Sequence, residues 1–336
     1  MQSLFYDRAT DADNALGLAR QANARYLGGG TNLLDLLKGD VEQASRLIDV
    51  NRSGLTGITA TADGSVRIGA AARNSDMAND ALIRQRYPLL SQALLSGASP
   101  QLRNMATAGG NLMQRTRCYY FTDTAFEKCN KRNPGSGCAA RDGVNRIHAI
   151  LGSSDACIAT NPSDMSVALA ALDAVVIARS TGGERRIPIG EFHRLPGDQP
   201  QFDTILGKGE LITAIDLPPS PFAANAHYLK VRDRASYAFA LVSVAAAVAL
   251  RDGVVERAAL ALGGVAHKPW RIAGAEAALV GQRVGTPEFD RGIGAVADTL
   301  LAGAQGFKDN RFKIPLARRS IVRALQTAAQ ATGEPA

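Results

Sequence analysis

Cysteine is missing from almost the whole chain. Its 336 residues hold four, Cys118, Cys129, Cys138 and Cys157, all within one stretch of forty. A chain of this length can bury an adequate core without disulfide staples, and scattered core cysteines would not confine themselves this way. Long apolar runs are missing too. No stretch reaches the ~18 uncharged apolar residues of a membrane span. The longest, residues 238–250, is interrupted by Ser243 and stops at the Arg251-Asp252-Gly253 turn signal, so it reads as a buried strand. Residues 1–8 lack the charged start, apolar core and small-residue cleavage site of a leader, so no export signal of the chain's own is expected. The four histidines, His148, His193, His227 and His267, form no His-x-x-x-His pattern, and a mononuclear metal site is not expected. No Gly-x-Ser-x-Gly supports a hydrolase. Trp270, the only tryptophan, is expected to anchor packing where the chain enters a helix.

What is present is ordinary for a folded protein. Hydrophobic residues make up 46% and charged residues 21%, which excludes a disordered chain. The length suits two or three domains at ~100–200 residues each. Net charge is +7, but arginine is spread along the chain, so nucleic acid is not implied.

Residues 12–22 have helical spacing. Arg25-Tyr26-Leu27 predicts a short strand running into Gly28-Gly29-Gly30, with Thr31 or Asn32 capping a helix that carries Leu33, Leu34, Leu36 and Leu37. Strands are predicted over 46–50, 66–70, 174–178 and 210–217, with helices from Ser75, over 89–95, and from 161 to 171. Pro218-Pro219, Ser220 and Pro221 are the best domain boundary. Strands over 228–231, 238–250 and 256–265, then helices near 271–280, 287–303 and 315–331, make an α+β ending. Residues 332–336 are expected to fray. Residues 113–156 differ: they are polar, basic and weakly periodic, an insertion shaped by something other than an apolar core.

Glycines in the Gly28-Gly29-Gly30-Thr31-Asn32 loop would let backbone N–H groups approach a pyrophosphate, though a plain tight turn would look the same. The spacing is neither the Gly-x-Gly-x-x-Gly fingerprint nor a P-loop. Ala108-Gly109-Gly110-Asn111, read as a second loop beside a strand, offers another close approach. These segments carry a resemblance. Leu27 to Leu34, then Thr107-Ala108-Gly109-Gly110-Asn111-Leu112, then Pro162-Ser163-Asp164, then the Lys230 to Ala245 motif resemble, in order, the FAD-binding subunit of molybdenum hydroxylases of the xanthine dehydrogenase and carbon monoxide dehydrogenase family. The resemblance implies an α+β chain: a two-subdomain FAD-binding fold of the vanillyl-alcohol oxidase type (1–55 and 56–220, the latter with the insertion at about 113–157), plus a C-terminal α+β domain over 225–330. It implies that Leu27, Gly28, Gly29, Gly30, Thr31, Asn32, Leu33 and Leu34 wrap the pyrophosphate. Thr107, Gly109, Gly110, Asn111 and Ile212 would lie along the cofactor, Asp164 at the ribityl or phosphate region and Lys230 near the flavin ring. Tyr237 and Phe239 are candidates to cover that ring.

Four thiolates suit zinc or one [4Fe–4S] cluster, and disulfides would also fit; spacing alone leaves all three open. FAD-binding subunits similar to this chain, in periplasmic aldehyde oxidoreductases and 4-hydroxybenzoyl-CoA reductase, carry a [4Fe–4S] cluster in an insertion after the Gly-Gly-Asn motif. The resemblance therefore implies Cys118, Cys129, Cys138 and Cys157 as its ligands. Residues 115–150 hold seven cations against three anions, which suits an anionic cluster. Tyr119, Tyr120, Phe121 and Phe126 interleave with them, as in a nucleic-acid surface, but beside four thiols they are expected to shield the cluster. The implied function is the FAD and [4Fe–4S] subunit of an aldehyde oxidoreductase, itself holding no catalytic residue for the aldehyde. It would assemble as a heterotrimer with a molybdopterin-binding large subunit and a [2Fe–2S] small subunit, and pass electrons to an external acceptor. The implied compartment is the periplasm, reached with a signal-bearing partner; the cytoplasm is the alternative. A hydroxybenzoyl-CoA reductase-like enzyme, or a non-catalytic assembly subunit, are the alternative functions.

Overall fold

The computed structural model of the chain describes residues 3–331; the fraying expected of residues 332–336 and the reading of residues 1–2 lie outside these. Three sheets organise it. The first is parallel, in the order β1 (Phe5–Arg8), β3 (Arg46–Asp49), β2 (Ala24–Leu27). Parallel neighbours need crossover connections, here supplied by helices Ala12–Leu18 and Leu33–Lys38. The first of these starts at Asp11, whose carboxylate accepts the Asn14 N–H at 2.8 Å, a side-chain N-cap.

The second sheet is antiparallel: β4 (Ile58–Ala60), β5 (Val66–Gly69), β8 (Leu211–Leu217), β6 (Val175–Ser180), β7 (Gly183–Pro188). β8 is central and buried along its whole length. Its one carboxylate, Asp216, is paired with Arg67 at 2.7 Å and Arg186 at 2.8 Å, so burial leaves no lone charge. Helices Pro88–Ser96 and Asp164–Ala171 share this sheet's core.

The third sheet, β9 (Ala226–Val231), β10 (Val242–Arg251) and β11 (Val254–Gly263), is an antiparallel meander. The apolar run in β10 is continuous because both of its faces are covered. Ala245, Ala247 and Ala249 enter the core of helices Pro88–Ser96 and Asp164–Ala171, while Val242, Val244, Ala246 and Val248 enter a second core with helices Pro287–Leu300 and Lys313–Gln330. Alanines on one face let helix Asp164–Ala171 sit close.

Several expectations need correction. β10 starts at Val242, not 238: Tyr237 has left-handed backbone (φ 51°), and the chain before Leu241 stays out of the ladder. The first helix of the second region starts at Asn74 rather than Ser75. Residues 271–280 hold only a 3₁₀ turn, Ala275–Leu279. Gly109 and Gly110 lie in a one-turn helix, Ala108–Leu112, not in a loop beside a strand. β7 was not expected, because five of its six residues are exposed and three are charged, the composition of a protected edge. In the insertion only Tyr119–Thr122 is helical. Among the described residues no helix is long and apolar enough to cross a membrane.

The two-faced packing of β10 predicts that Ala245→Leu, at a fully buried position, overpacks the helix side and destabilises the chain by about 3 kcal/mol. Denaturant unfolding of the full chain checks this through the midpoint.

Candidate cofactor-binding site

A cavity of about 640 Å³ opens where the three sheets' connections meet. That volume lies within the ~300–1,000 Å³ usual for small-molecule and cofactor sites. Thr31 and Asn32, Gly110 and Asn111, Asp164, Lys230 and residues 237–241 line it.

The glycine loop has its shape for a different reason than expected. A Cβ on Gly29 would overlap the Met105 carbonyl, and one on Gly28 would meet Thr107 Oγ1 at 2.5 Å; Gly30 has φ +71°. Gly28 packs on the Thr107 side chain and Gly29 on the Met105 backbone, and none of the three glycines lines the cavity. The backbone N–H groups of Gly30, Thr31 and Asn32 have no acceptor in the chain among the described residues. Asn32 does not cap its helix; its Oδ1 accepts the Arg115 N–H at 2.9 Å, linking this loop to the insertion. Free donors at a glycine turn are what a phosphate needs, so the residues present fit a dinucleotide's pyrophosphate.

Of the other expected contacts, Gly109 packs against Ala70 and Thr107 caps the Gly110 N–H at 3.2 Å, both behind the lining. Leu27, Leu33 and Leu34 pack on a small core with Leu37 and Leu47. Ile212 does not line the cavity either: it is buried in β8, whose two faces are both covered. Asn111 Oδ1 accepts from Ser163 Oγ at 2.7 Å and Gln114 Nε2 at 2.6 Å. Lys230 is no solvated strand residue. Its Nζ donates to Asp164 Oδ2 at 2.7 Å and to the Ser96 carbonyl at 3.1 Å, with 4% of the side chain exposed. Tyr228 donates its hydroxyl to Asp164 Oδ1 at 2.7 Å, and burial holds that phenol well above its usual range, so it remains a donor. Tyr237 and Phe239 both line the cavity and are largely exposed; the Arg117 guanidinium lies 5.1 Å from the Phe239 ring.

The four cysteines converge. All of them line a second, small cavity with Tyr120, Phe121 and Lys131, and all are free thiols. Among the described residues no three Cys, His, Asp or Glu side chains are spaced to hold one metal ion. Burial pushes the Cys118 thiol up to about 12, while the hydrogen bond from Cys157 lowers Cys138 to about 6 and raises Cys157. His148 was missed by spacing, being 30 residues from Cys118: its Nε2 lies 3.1 Å from Cys118 Sγ. Burial, and then the Lys313 charge, lowers His148 to about 4, so the ring is neutral at pH 7.

Three of the insertion's cations turn inward, while Lys128 and Arg146 stay exposed. Arg132 donates to the carbonyls of Tyr120, Phe121 and Phe126. Arg115 pairs with Glu42 and, at 2.7 Å, with Asp203; Lys131, 1% exposed, reaches Asp203 at 2.5 Å and the Pro200 carbonyl at 2.6 Å. Burial would raise the Asp203 pKa, but Lys131, His267 and Arg115 outweigh it and hold the carboxyl well below its ordinary 3.8.

A cavity of cofactor size, with free backbone donors at a glycine turn and a C-terminal α+β unit contributing to its lining, defines a cofactor-binding subunit. Residues 2–220 match the family described as the FAD-binding domain in molybdopterin dehydrogenase, and residues 227–328 match the CO dehydrogenase flavoprotein C-terminal domain. The chain therefore belongs to the FAD-binding subunits of the molybdenum hydroxylases. It is 51% identical over 330 residues to the aldehyde oxidoreductase FAD-binding subunit PaoB of Escherichia coli (strain K12), covering 98% of this chain and 99% of that one. It is 29% identical to the glyceraldehyde dehydrogenase medium chain of Sulfolobus acidocaldarius, covering 83% and 82%. In fold it matches a reconstituted CO dehydrogenase from Oligotropha carboxidovorans, with TM-score 0.75, 22% identity, and 98% and 99% of the two chains covered.

Two predictions follow from the geometry. Gly29→Ala forces its loop away from Met105, so FAD content and melting temperature fall together; a fall in FAD at unchanged melting temperature would contradict the loop-packing role. Asp203 has a depressed folded-state pKa, so its stabilisation is complete above about pH 4 and is lost as pH falls below that. Asp203→Asn leaves Lys131 buried without its counter-ion, costs about 3 kcal/mol at pH 7, and flattens the acid limb of a stability-versus-pH curve.

Proposed function

We propose that this chain is the FAD- and [4Fe–4S]-carrying electron-transfer subunit of a molybdenum-dependent aldehyde oxidoreductase, taking electrons from partner [2Fe–2S] centres to an external acceptor. The observation that carries it is the gathering of all four cysteines around one cavity beside the cofactor cavity, joined to it through Cys118 and Tyr119. The similarity to a chain named as an aldehyde oxidoreductase FAD-binding subunit supports the substrate class. Four cysteines around one cavity supply the ligand number that a [4Fe–4S] cluster requires.

When bound, FAD interconverts two-electron and one-electron transfers, and the cluster stores one electron. The chain's own residues hold and insulate these groups. Thr31 and Asn32 offer backbone N–H groups to the pyrophosphate, and Gly110 and Asn111 line the same cavity. Lys230, neutralised by Asp164, keeps a cation in the wall without leaving an unpaired buried charge. Tyr237 or Phe239 can cover the ring and limit water. Tyr120 and Phe121 shield the thiols, and the inward-facing arginines and Lys131 favour the more reduced cluster. Partners on this reading are a molybdopterin-binding large subunit and a [2Fe–2S] small subunit in a heterotrimer. The compartment is the periplasm, reached with a signal-bearing partner, on the strength of the resemblance of the cysteine insertion.

Co-expression with those two subunits and metal analysis tests the assignment. One FAD is expected per trimer, with about four iron atoms and matching acid-labile sulfide beyond the two [2Fe–2S] centres. Zinc in place of that iron, or S–S bonds among the four cysteines, would end the cluster assignment. Absence of both flavin and iron would favour an assembly subunit.

A further inference from the structure

Cys118 differs from the other three thiols in what surrounds it. Its chain neighbours Arg117 and Tyr119 both line the large cavity, which is true of no other cysteine here. Its Sγ lies 3.1 Å from His148 Nε2, and His148 itself follows Ile147, another cavity-lining residue. Two separate chain segments therefore run from the large cavity to this one sulfur.

The His148 ring has little freedom. It is 1% exposed, with Tyr119 edge-on at 6.5 Å and Tyr120 tilted against it at 6.3 Å. Its backbone N–H donates to the Asn145 carbonyl at 3.0 Å, and its own carbonyl accepts from Lys313 Nζ at 2.8 Å and Asn310 Nδ2 at 3.2 Å. Lys313 and Asn310 belong to the C-terminal region, so the far domain fixes the ring against the cysteine. Nδ1 has no hydrogen-bond partner, so nothing on that side draws the ring proton away from Nε2.

We propose that His148 donates its Nε2 proton to Cys118 Sγ in the cluster-loaded protein and thereby raises the reduction potential of the cluster. This rests on the reading of the four cysteines as cluster ligands. A metal-bound thiolate has lost its own proton, so the 3.1 Å contact is a hydrogen bond only if the imidazole supplies the proton. Donation to sulfur stabilises electron density there, and more so in the reduced cluster, which carries one additional electron. His148 is a positioning residue, acting through Cys118, the cysteine whose chain neighbours line the large cavity.

The test uses the whole complex, purified as parent, His148→Phe and His148→Gln. Iron and acid-labile sulfide in the parent are read first; if the four additional irons are missing, the cluster reading itself fails. With the cluster present, an EPR-monitored redox titration follows. His148→Phe is expected to keep its iron, sulfide and FAD while the cluster midpoint moves to more negative potential and the flavin midpoint stays in place. His148→Gln, which keeps an N–H donor, is expected to recover part of the shift. An unmoved midpoint in His148→Phe overturns the proposal. So do equal shifts in both variants, which would make the effect one of packing. If His148→Phe fails to load the cluster, the parent labelled with ¹⁵N-histidine decides: pulsed EPR of the reduced cluster should show a histidine nitrogen coupling and a coupled proton that disappears in D₂O. Absence of both overturns it.

Discussion

One carboxylate gathers two of the insertion's cations. Asp203 stands between Arg115 and Lys131, two cations that have turned away from solvent, and Arg115 also reaches Glu42 beside the first sheet. Without Asp203, Lys131 would be a bare charge at 1% exposure. An uncompensated buried ion costs several kcal/mol. The first sheet, the segment around residue 200 and the cysteine insertion are thus tied by charge, beside a small core in which Leu36, Val41, Tyr120, Phe121 and Ile158 are buried. His267, 3.6 Å from the same carboxylate, brings the C-terminal region against this hub.

The remaining order of the site follows from backbone contact. Gly28 and Gly29 meet Met105 and Thr107 with no room for a side chain, so the two motifs are one structural unit. That contact sets the distance between the free N–H groups at Thr31 and Asn32 and the lining residues Gly110 and Asn111. On the opposite wall, β9 carries Tyr228 and Lys230 to Asp164, at the start of helix Asp164–Ala171. The cavity is the gap left where a loop pair, a helix start and a strand end are each fixed by their own short contacts.

Much of this was legible in the residues. Period and punctuation located most strands and helices, because Val, Ile, Leu and Ala in buried elements repeat with the geometry of the element. The confinement of four cysteines to a basic, aperiodic stretch set that stretch apart, and the fold gathers all four around one small cavity. Where reading failed, a solvent-facing edge or a tertiary contact decided. β7 hides behind Glu184, Arg185 and Arg186. Residues 238–241 are apolar enough for a strand, yet they leave the ladder after the left-handed turn at Tyr237 and line the cavity instead.

The sequence by itself determined the family, the order of its motifs and the identity of the thiols, because these are local patterns of residue type and spacing. It could not show that Gly29 serves a loop contact, that Lys230 is sealed against Asp164, or that His148 lies against Cys118. Each of these depends on which distant segments the folded chain brings within about 3 Å. Hydrogen bonds and ion pairs act only at that range, and only tertiary packing decides which groups reach it.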